Sequence, residues 1–97
     1  MKHMVIMQDN AAVVQLIGIM DYTAKDSIHE MMDQFVNNKL THVELVMSQV
    51  EYVDSAGLGM LLLLRERLEV PIIISSANER IRKVLHLTKL DTMFTIQ

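Results

Sequence analysis

Asp54-Ser55-Ala56-Gly57-Leu58-Gly59 places a short hydroxyl between a β-like run ending at Val53 and an apolar, helix-like run beginning at Leu58. At the mouth of a helix, the Ser55 oxygen would lie near backbone N–H groups without intrahelical partners and at the positive end of the helix dipole, so it could cap the helix. The same hydroxyl could carry a phosphate. Roughly 1.5 to 2 negative charges added at one exposed point would rewrite any contact made there, while the helix terminus would tolerate them. Ser and Asp are ordinary cap residues, so the local pattern alone leaves both readings standing.

Asp21 is the second acid of interest, because it closes a β-like run just before a helical pattern, as Asp54 does. Parallel neighbouring strands would bring the two loops to one sheet edge, a natural contact surface. Each Asp can equally serve a turn or a cap. Tyr22 and Leu58 would add apolar contact nearby, with Leu58 at least partly in the core.

Other chemistry is poorly supported. His3, His29, His42 and His86 lack paired metal-ligand spacing, and there is no Cys, so thiolate sites, disulfides and cysteine nucleophiles are excluded. No phosphate-cradling P-loop or Gly-x-Gly-x-x-Gly turn is present, and Ser55 is not in a nucleophile-elbow Gly-x-Ser-x-Gly. An adjacent Asp54 is a poor orienter for a distant His base, so the chain is expected to bind partners and not to be an enzyme.

The elements that must position these residues follow from hydrophobic period. Met4 to Met7 and Ala12 to Ile19 read as antiparallel strands joined through Gln8-Asp9-Asn10-Ala11. Thr23-Ala24-Lys25-Asp26 resembles an acidic capping box before Ile28, Met31, Met32, Phe35 and Val36, with a stop at Asn37-Asn38-Lys39. His42 to Val50 alternates as a strand, with Val43, Leu45 and Met47 facing one way and His42, Glu44 and Ser48 the other.

In the next helix, Leu58, Leu61, Leu62 and Arg65 share a side that Leu64 and Leu68 broaden, and Gly59 offers a point of close approach. Pro71 leads into Ile72-Ile73-Ile74, Ser76-Ala77-Asn78-Glu79 caps a helix carrying Ile81, Val84, Leu85 and Thr88, and Met93 to Ile96 is the last strand. The order is β-β-α-β-α-β-α-β: an N-terminal hairpin, then right-handed β-α units. This gives an α/β fold with a mixed sheet of about five strands, helices mainly on one face, and a more open, polar opposite face.

Length and composition agree with one domain over residues 1–97. The chain is 51% apolar, with two Tyr, two Phe and no Trp, so its core is aliphatic and the nine Met mostly fill gaps in it. A net charge of −3 argues against general nucleic-acid binding, and Arg80, Arg82, Lys83 and Lys89 read as a solvated helix face. Met1 to Val5 does not read as a signal peptide and Leu61 to Leu64 is far too short to insert in a membrane, so a cytoplasmic location is expected.

With this element order, Gly18-Ile19-Met20-Asp21 and Val53-Asp54-Ser55-Ala56-Gly57-Leu58-Gly59 resemble the two signature segments of the STAS domain of bacterial anti-sigma factor antagonists. The resemblance covers nearly the whole chain. It implies that Ser55 is the serine phosphorylated by an anti-sigma factor with serine kinase activity, and that Asp21, Tyr22, Asp54, Ser55, Ala56, Gly57 and Leu58 form the partner-binding surface. It also implies partner switching: the unphosphorylated form binds the kinase and frees the sigma factor, phosphorylation prevents binding, and a serine phosphatase resets the cycle. The kinase would supply ATP and magnesium, so no cofactor is expected on this chain.

Ala56 replaces the hydroxyl residue common after the switch serine, and the chain stops at Gln97, soon after the last strand, without the extended C-terminal helix of many relatives. That stop either exposes a dimerisation or partner surface or is simply tolerated. A constitutive STAS scaffold in a signalling or transport complex is the alternative function. A small-ligand sensor is a third, with no pocket signature to support it.

Overall fold

Two apolar runs fold back on each other at Asp9-Asn10, where Asp9 takes a left-handed conformation (φ 55°) of the kind that two-residue hairpins require. Strands β1 (Lys2–Gln8) and β2 (Ala11–Met20) pair antiparallel in unbroken register from Lys2↔Ile17 to Gln8↔Ala11. The computed structural model describes residues 1–35 and 38–97. Val36 and Asn37, placed by the sequence in the first helix's apolar pattern and its stop, lie outside the described residues.

After β2 come a 3-10 turn (Tyr22–Ala24) and helix α1 (Lys25–Phe35), which buries Ile28, Met31, Met32 and Phe35. Strand β3 (His42–Val53), helix α2 (Ser55–Leu68), strand β4 (Ile72–Ser75), helix α3 (Glu79–Leu87) and the short strand β5 (Thr95–Ile96) complete the chain. The sheet order is β1-β2-β3-β4-β5, with β2 to β5 parallel. Each parallel strand adds on the same side of the last, so right-handed crossovers put all three helices on one face. This is the mixed α/β sheet expected from the sequence.

The core between sheet and helices is aliphatic and Met-rich: Val14, Leu16, Met20, Leu45, Met47, Ile74, Met31, Leu61 and Leu85 are buried. Each such side chain contributes about 1.5–3 kcal/mol by leaving water. Among the nine Met expected to fill gaps in the core, Met31 and Met32 are buried and Met60 packs against it. The opposite sheet face is not simply polar. Beside His42, Glu44 and Ser48 it carries Met4, Ile6, Val13, Ile17, Val46 and Ile73, as the strand register dictates. Glu44, half-buried there, accepts a hydrogen bond from the Ser75 hydroxyl at 2.7 Å.

Helix α2 packs differently from its sequence pattern. Gly57, Leu61 and Leu64 face the core with Leu68 half-buried, whereas Leu62 and Arg65 point to solvent. A run of four leucines carries no phase of its own, and the core selected Leu61 and Leu64. Arg65 instead donates from Nε to the Met93 carbonyl, 3.1 Å away, tying α2 to the loop before β5. The cationic residues Arg80, Arg82, Lys83 and Lys89 are all exposed.

Candidate functional site

Strand β3 has two more residues than β2, and the pairing absorbs them in two register shifts, between Gln15 and Ile17 and between Gly18 and Ile19. Each shift opposes an extra β3 residue to the β2 strand, as a β-bulge does. Gly18, at φ 110°, supplies the backbone freedom at the second shift. The buried side of β3 accordingly changes phase, from Val43, Leu45 and Met47 to Val50 and Val53. The two strands then finish abreast at Met20↔Val53, so that Asp21 and Asp54 both emerge at one edge.

Three contacts lock that edge. The Asp54 N–H donates to the Met20 carbonyl at 3.2 Å. Asp54, in extended conformation, caps α2 by accepting from the Gly57 N–H at 2.9 Å, and its own carbonyl accepts from Leu58 N–H at 2.9 Å. Gly57 lies so close to the end of β2 that a Cβ there would stand 2.1 Å from the Met20 carbonyl oxygen and 2.8 Å from Val53 Cγ1. The absence of a side chain at Gly57 is what lets α2 start against the Asp21 loop.

Ser55 is therefore not the cap. Asp54 holds that role because its carboxylate reaches the third N–H of the helix, and Ser55 becomes the first residue of α2, exposed, with its hydroxyl in none of the hydrogen bonds among the described residues. With the N–H groups of Gly57 and Leu58 satisfied, those of Ser55 and Ala56 remain at the helix mouth, where an anion is favoured. Gly59 is also not a point of close approach: nothing lies within 4 Å of a Cβ built there, and Gly57 has that role instead.

Asp21 opens the 3-10 turn, accepting from the Thr23 backbone N–H at 2.9 Å and from the Thr23 hydroxyl. The Thr23 hydroxyl, then its N–H, holds the Asp21 carboxyl below the usual carboxylate value. The capping box expected at Thr23-Ala24-Lys25-Asp26 is replaced by this Asp21 turn, because the chain first makes a 3-10 turn and α1 continues from it. Tyr22 projects from the turn, 75% exposed. Leu58 and Ala56 are half-buried and Gly57 is buried, so the outward surface of this edge is Asp21, Tyr22, Ser55 and parts of Asp54, Ala56 and Leu58.

Asn78, not singled out as a site residue, braces the same end of the sheet. Its side-chain oxygen caps α3 through the Ile81 N–H at 2.9 Å, while its Nδ2 donates to the Val50 and Glu51 carbonyls of bulged β3 at 3.3 and 3.1 Å. The expected Ser76 cap gives way to Asn78 because Ser76 sits in a left-handed turn (φ 58°) before the helix. A capping signal in sequence could locate Asn78, but not its second set of bonds. No group of three or more His, Asp or Glu that could hold a metal occurs among the described residues, nor any helix long and apolar enough to cross a membrane.

A family model described as the STAS domain matches residues 3–97. Among solved structures, the anti-sigma factor antagonist SpoIIAA in its unphosphorylated form superposes with a TM-score of 0.82 at 19% identity, covering 99% of this chain and 88% of that one. The phosphorylated form of this Bacillus cell-fate determinant gives 0.74 at 20%, covering 99% and 91%. An anti-sigma factor antagonist from Mycobacterium paratuberculosis gives 0.84 at 25%, covering 98% and 83%.

Proposed function

The chain belongs to the STAS-domain family, and on that premise we propose that it is an anti-sigma factor antagonist working by partner switching, with Ser55 as its phosphoacceptor. The observation that carries this reading is an exposed hydroxyl in the first turn of α2, on the same edge as Asp21 and Tyr22. That its structural neighbours are antagonists, one of them solved in both unphosphorylated and phosphorylated forms, supports it.

The mechanism follows from differential binding. Unphosphorylated protein docks Asp21, Tyr22, Ser55 and the outward parts of Asp54, Ala56 and Leu58 onto an anti-sigma factor with serine kinase activity, in the cytoplasm, and the sigma factor is released; Gly57, expected from the sequence to touch the partner, is buried and serves only to hold α2 against β2. The kinase brings the ATP and magnesium. Phosphorylation adds roughly 1.5 to 2 negative charges to this contact, on an edge that already carries Asp21 and Asp54. The open N–H groups of the helix mouth tolerate the phosphate, so the fold survives. The docked interface does not, because desolvating a doubly charged phosphate against a surface fitted to a neutral hydroxyl costs several kcal/mol, on the order of a 100-fold loss of affinity or more. A serine phosphatase resets the cycle. The chain's own chemistry is that of an acceptor, and no catalytic step is assigned to it.

The test is incubation with anti-sigma kinases and ATP, phosphosite mapping, and affinity measurement before and after. One phosphate at Ser55, weaker binding once it is present, and a Ser55→Ala protein that binds but takes no phosphate are the expected results. Tight binding indifferent to Ser55 modification would instead make the chain a constitutive scaffold.

A further inference from the structure

The two edges of the sheet are protected unequally. Strand β5 is only two residues long, which blunts its edge, whereas β1 runs for seven residues as Lys-His-Met-Val-Ile-Met-Gln and pairs with β2 without a bulge. It contains no Pro and one formal charge, Lys2. Its side chains include Met4 at 60% and Ile6 at 55% exposed, with Met7 also exposed. Proteins that leave such an edge free usually interrupt it with charge, Pro or a bulge. Along β1 only Lys2, at its first position, does so.

The hairpin fixes which groups that edge offers. In a two-residue hairpin the flanking pair, Gln8↔Ala11, is hydrogen-bonded, so alternate residues Lys2, Met4, Ile6 and Gln8 turn their N–H and C=O groups toward β2. His3, Val5 and Met7 turn theirs outward, three donors and three acceptors in a symmetric row centred on Val5. Such a row is its own complement when turned end for end.

We propose that β1 pairs antiparallel with β1 of a second copy about a two-fold axis at Val5, joining two sheets into one of ten strands. Val5 exchanges both bonds with Val5 of the second copy, and each His3 exchanges both with the other copy's Met7. On the uncovered face Met4 lies opposite Ile6 of the second copy, an apolar cross-strand pair made twice. Charge selects the direction. Lys2 begins the strand and Asp9 follows it, so antiparallel pairing sets positive beside negative at both ends, whereas parallel pairing sets like beside like. The two-fold axis also sends the strands of the two copies in opposite directions. The two Ser55 edges therefore lie at opposite ends of the joined sheet and both stay accessible.

The test is sedimentation velocity of the whole chain over about a hundredfold range of concentration, where a dimer is mass-action dependent. Wild type is expected to dimerise. Met4→Lys with Ile6→Lys places lysine opposite lysine twice and weakens dimerisation by about tenfold or more, whereas Met4→Lys with Ile6→Glu places lysine opposite glutamate twice and retains the dimer. A different register would pair like with like in the second variant and break it. Amide exchange of wild type gives a readout without mutation: His3, Val5 and Met7 gain protection as concentration rises, while Met4, Ile6 and Gln8 are protected throughout. A monomeric wild type, whether or not a foreign strand binds the edge, overturns the proposal. Equal dimerisation of the two double variants, or exchange at His3, Val5 and Met7 that ignores concentration, does so as well.

Discussion

Replacing Gly57 with alanine tests whether the switch edge is held by close approach of α2 to β2. An added Cβ would stand 2.1 Å from the Met20 carbonyl oxygen and 2.9 Å from its carbon, where ordinary contact begins at 3.4 Å. The obstacle is backbone, and the same carbonyl accepts the Asp54 N–H, so neither partner can retreat by about 1 Å without disturbing the other. Alanine is favoured over glycine within a helix by about 1 kcal/mol, but overpacking costs about 1–3 kcal/mol and more against a main-chain obstacle. The expected net loss is on the order of 1–2 kcal/mol. At about 4–8 °C per kcal/mol for a chain of this size, Tm falls by roughly 5–15 °C.

Gly59→Ala is the internal control, because it brings the same propensity gain two residues along the same helix into open space. Its Tm should rise by up to about 8 °C. Thermal unfolding followed by circular dichroism, with amide NMR shifts across Met20–Ala24, measures both effects. A Gly57→Ala protein that melts at or above wild type with those shifts unmoved would refute the close approach as the device that sets Ser55 beside Asp21.

Asp54→Ala removes the acceptor for the Gly57 N–H and should cost about 1 kcal/mol in urea unfolding, while Asp54→Asn keeps most of it; equal losses would mean that charge, not the capping bond, matters. Thr23→Ala should bring the Asp21 pKa back toward the ordinary carboxylate value of about 3.9, read by carboxyl NMR titration. Because the folded-state pKa is lowered, the Asp21 contribution is complete above the unfolded-state value and is lost as pH falls through the folded-state value. The acid limb of the stability profile below about pH 4 should therefore be shallower in the variant, and an unchanged titration would count against the Thr23 bonds. Asn78→Asp keeps the α3 cap but loses both donations to β3 and sets a carboxylate against two carbonyls. A loss of about 1 kcal/mol is expected, and unchanged urea stability would show the bracing to be idle.

Sequence periodicity carried the fold where polar and apolar residues alternate cleanly. The Val43-Leu45-Met47 face of β3, the Ile28-Met31-Met32-Phe35 stripe of α1 and the element order were all readable, because burial on one face imposes a period of 2 or 3.6 on the chain. It failed where the pattern is uniform. Leu61 to Leu64 would suit several faces, and the open sheet face looked polar because only β3 had been read, not the Met4, Ile6 and Val13 that the register sets beside it.

Capping chemistry was legible as residue type and not as position. Asp21, Asp54 and Asn78 all lay within or beside the expected signals, but which oxygen meets which N–H depends on a few tenths of an ångström of backbone path. The sequence by itself determined that a serine would stand at a strand-to-helix junction with an acid before it, since those residue types permit little else between a β run and a helix. Only the tertiary structure decided that Asp54 takes the cap and leaves the Ser55 hydroxyl free, and that Asp21 comes alongside. The two register shifts bring β2 and β3 to a common end, and bare Gly57 lets the helix close on the Met20 carbonyl. Both depend on contacts between segments more than thirty residues apart, which no local pattern can encode.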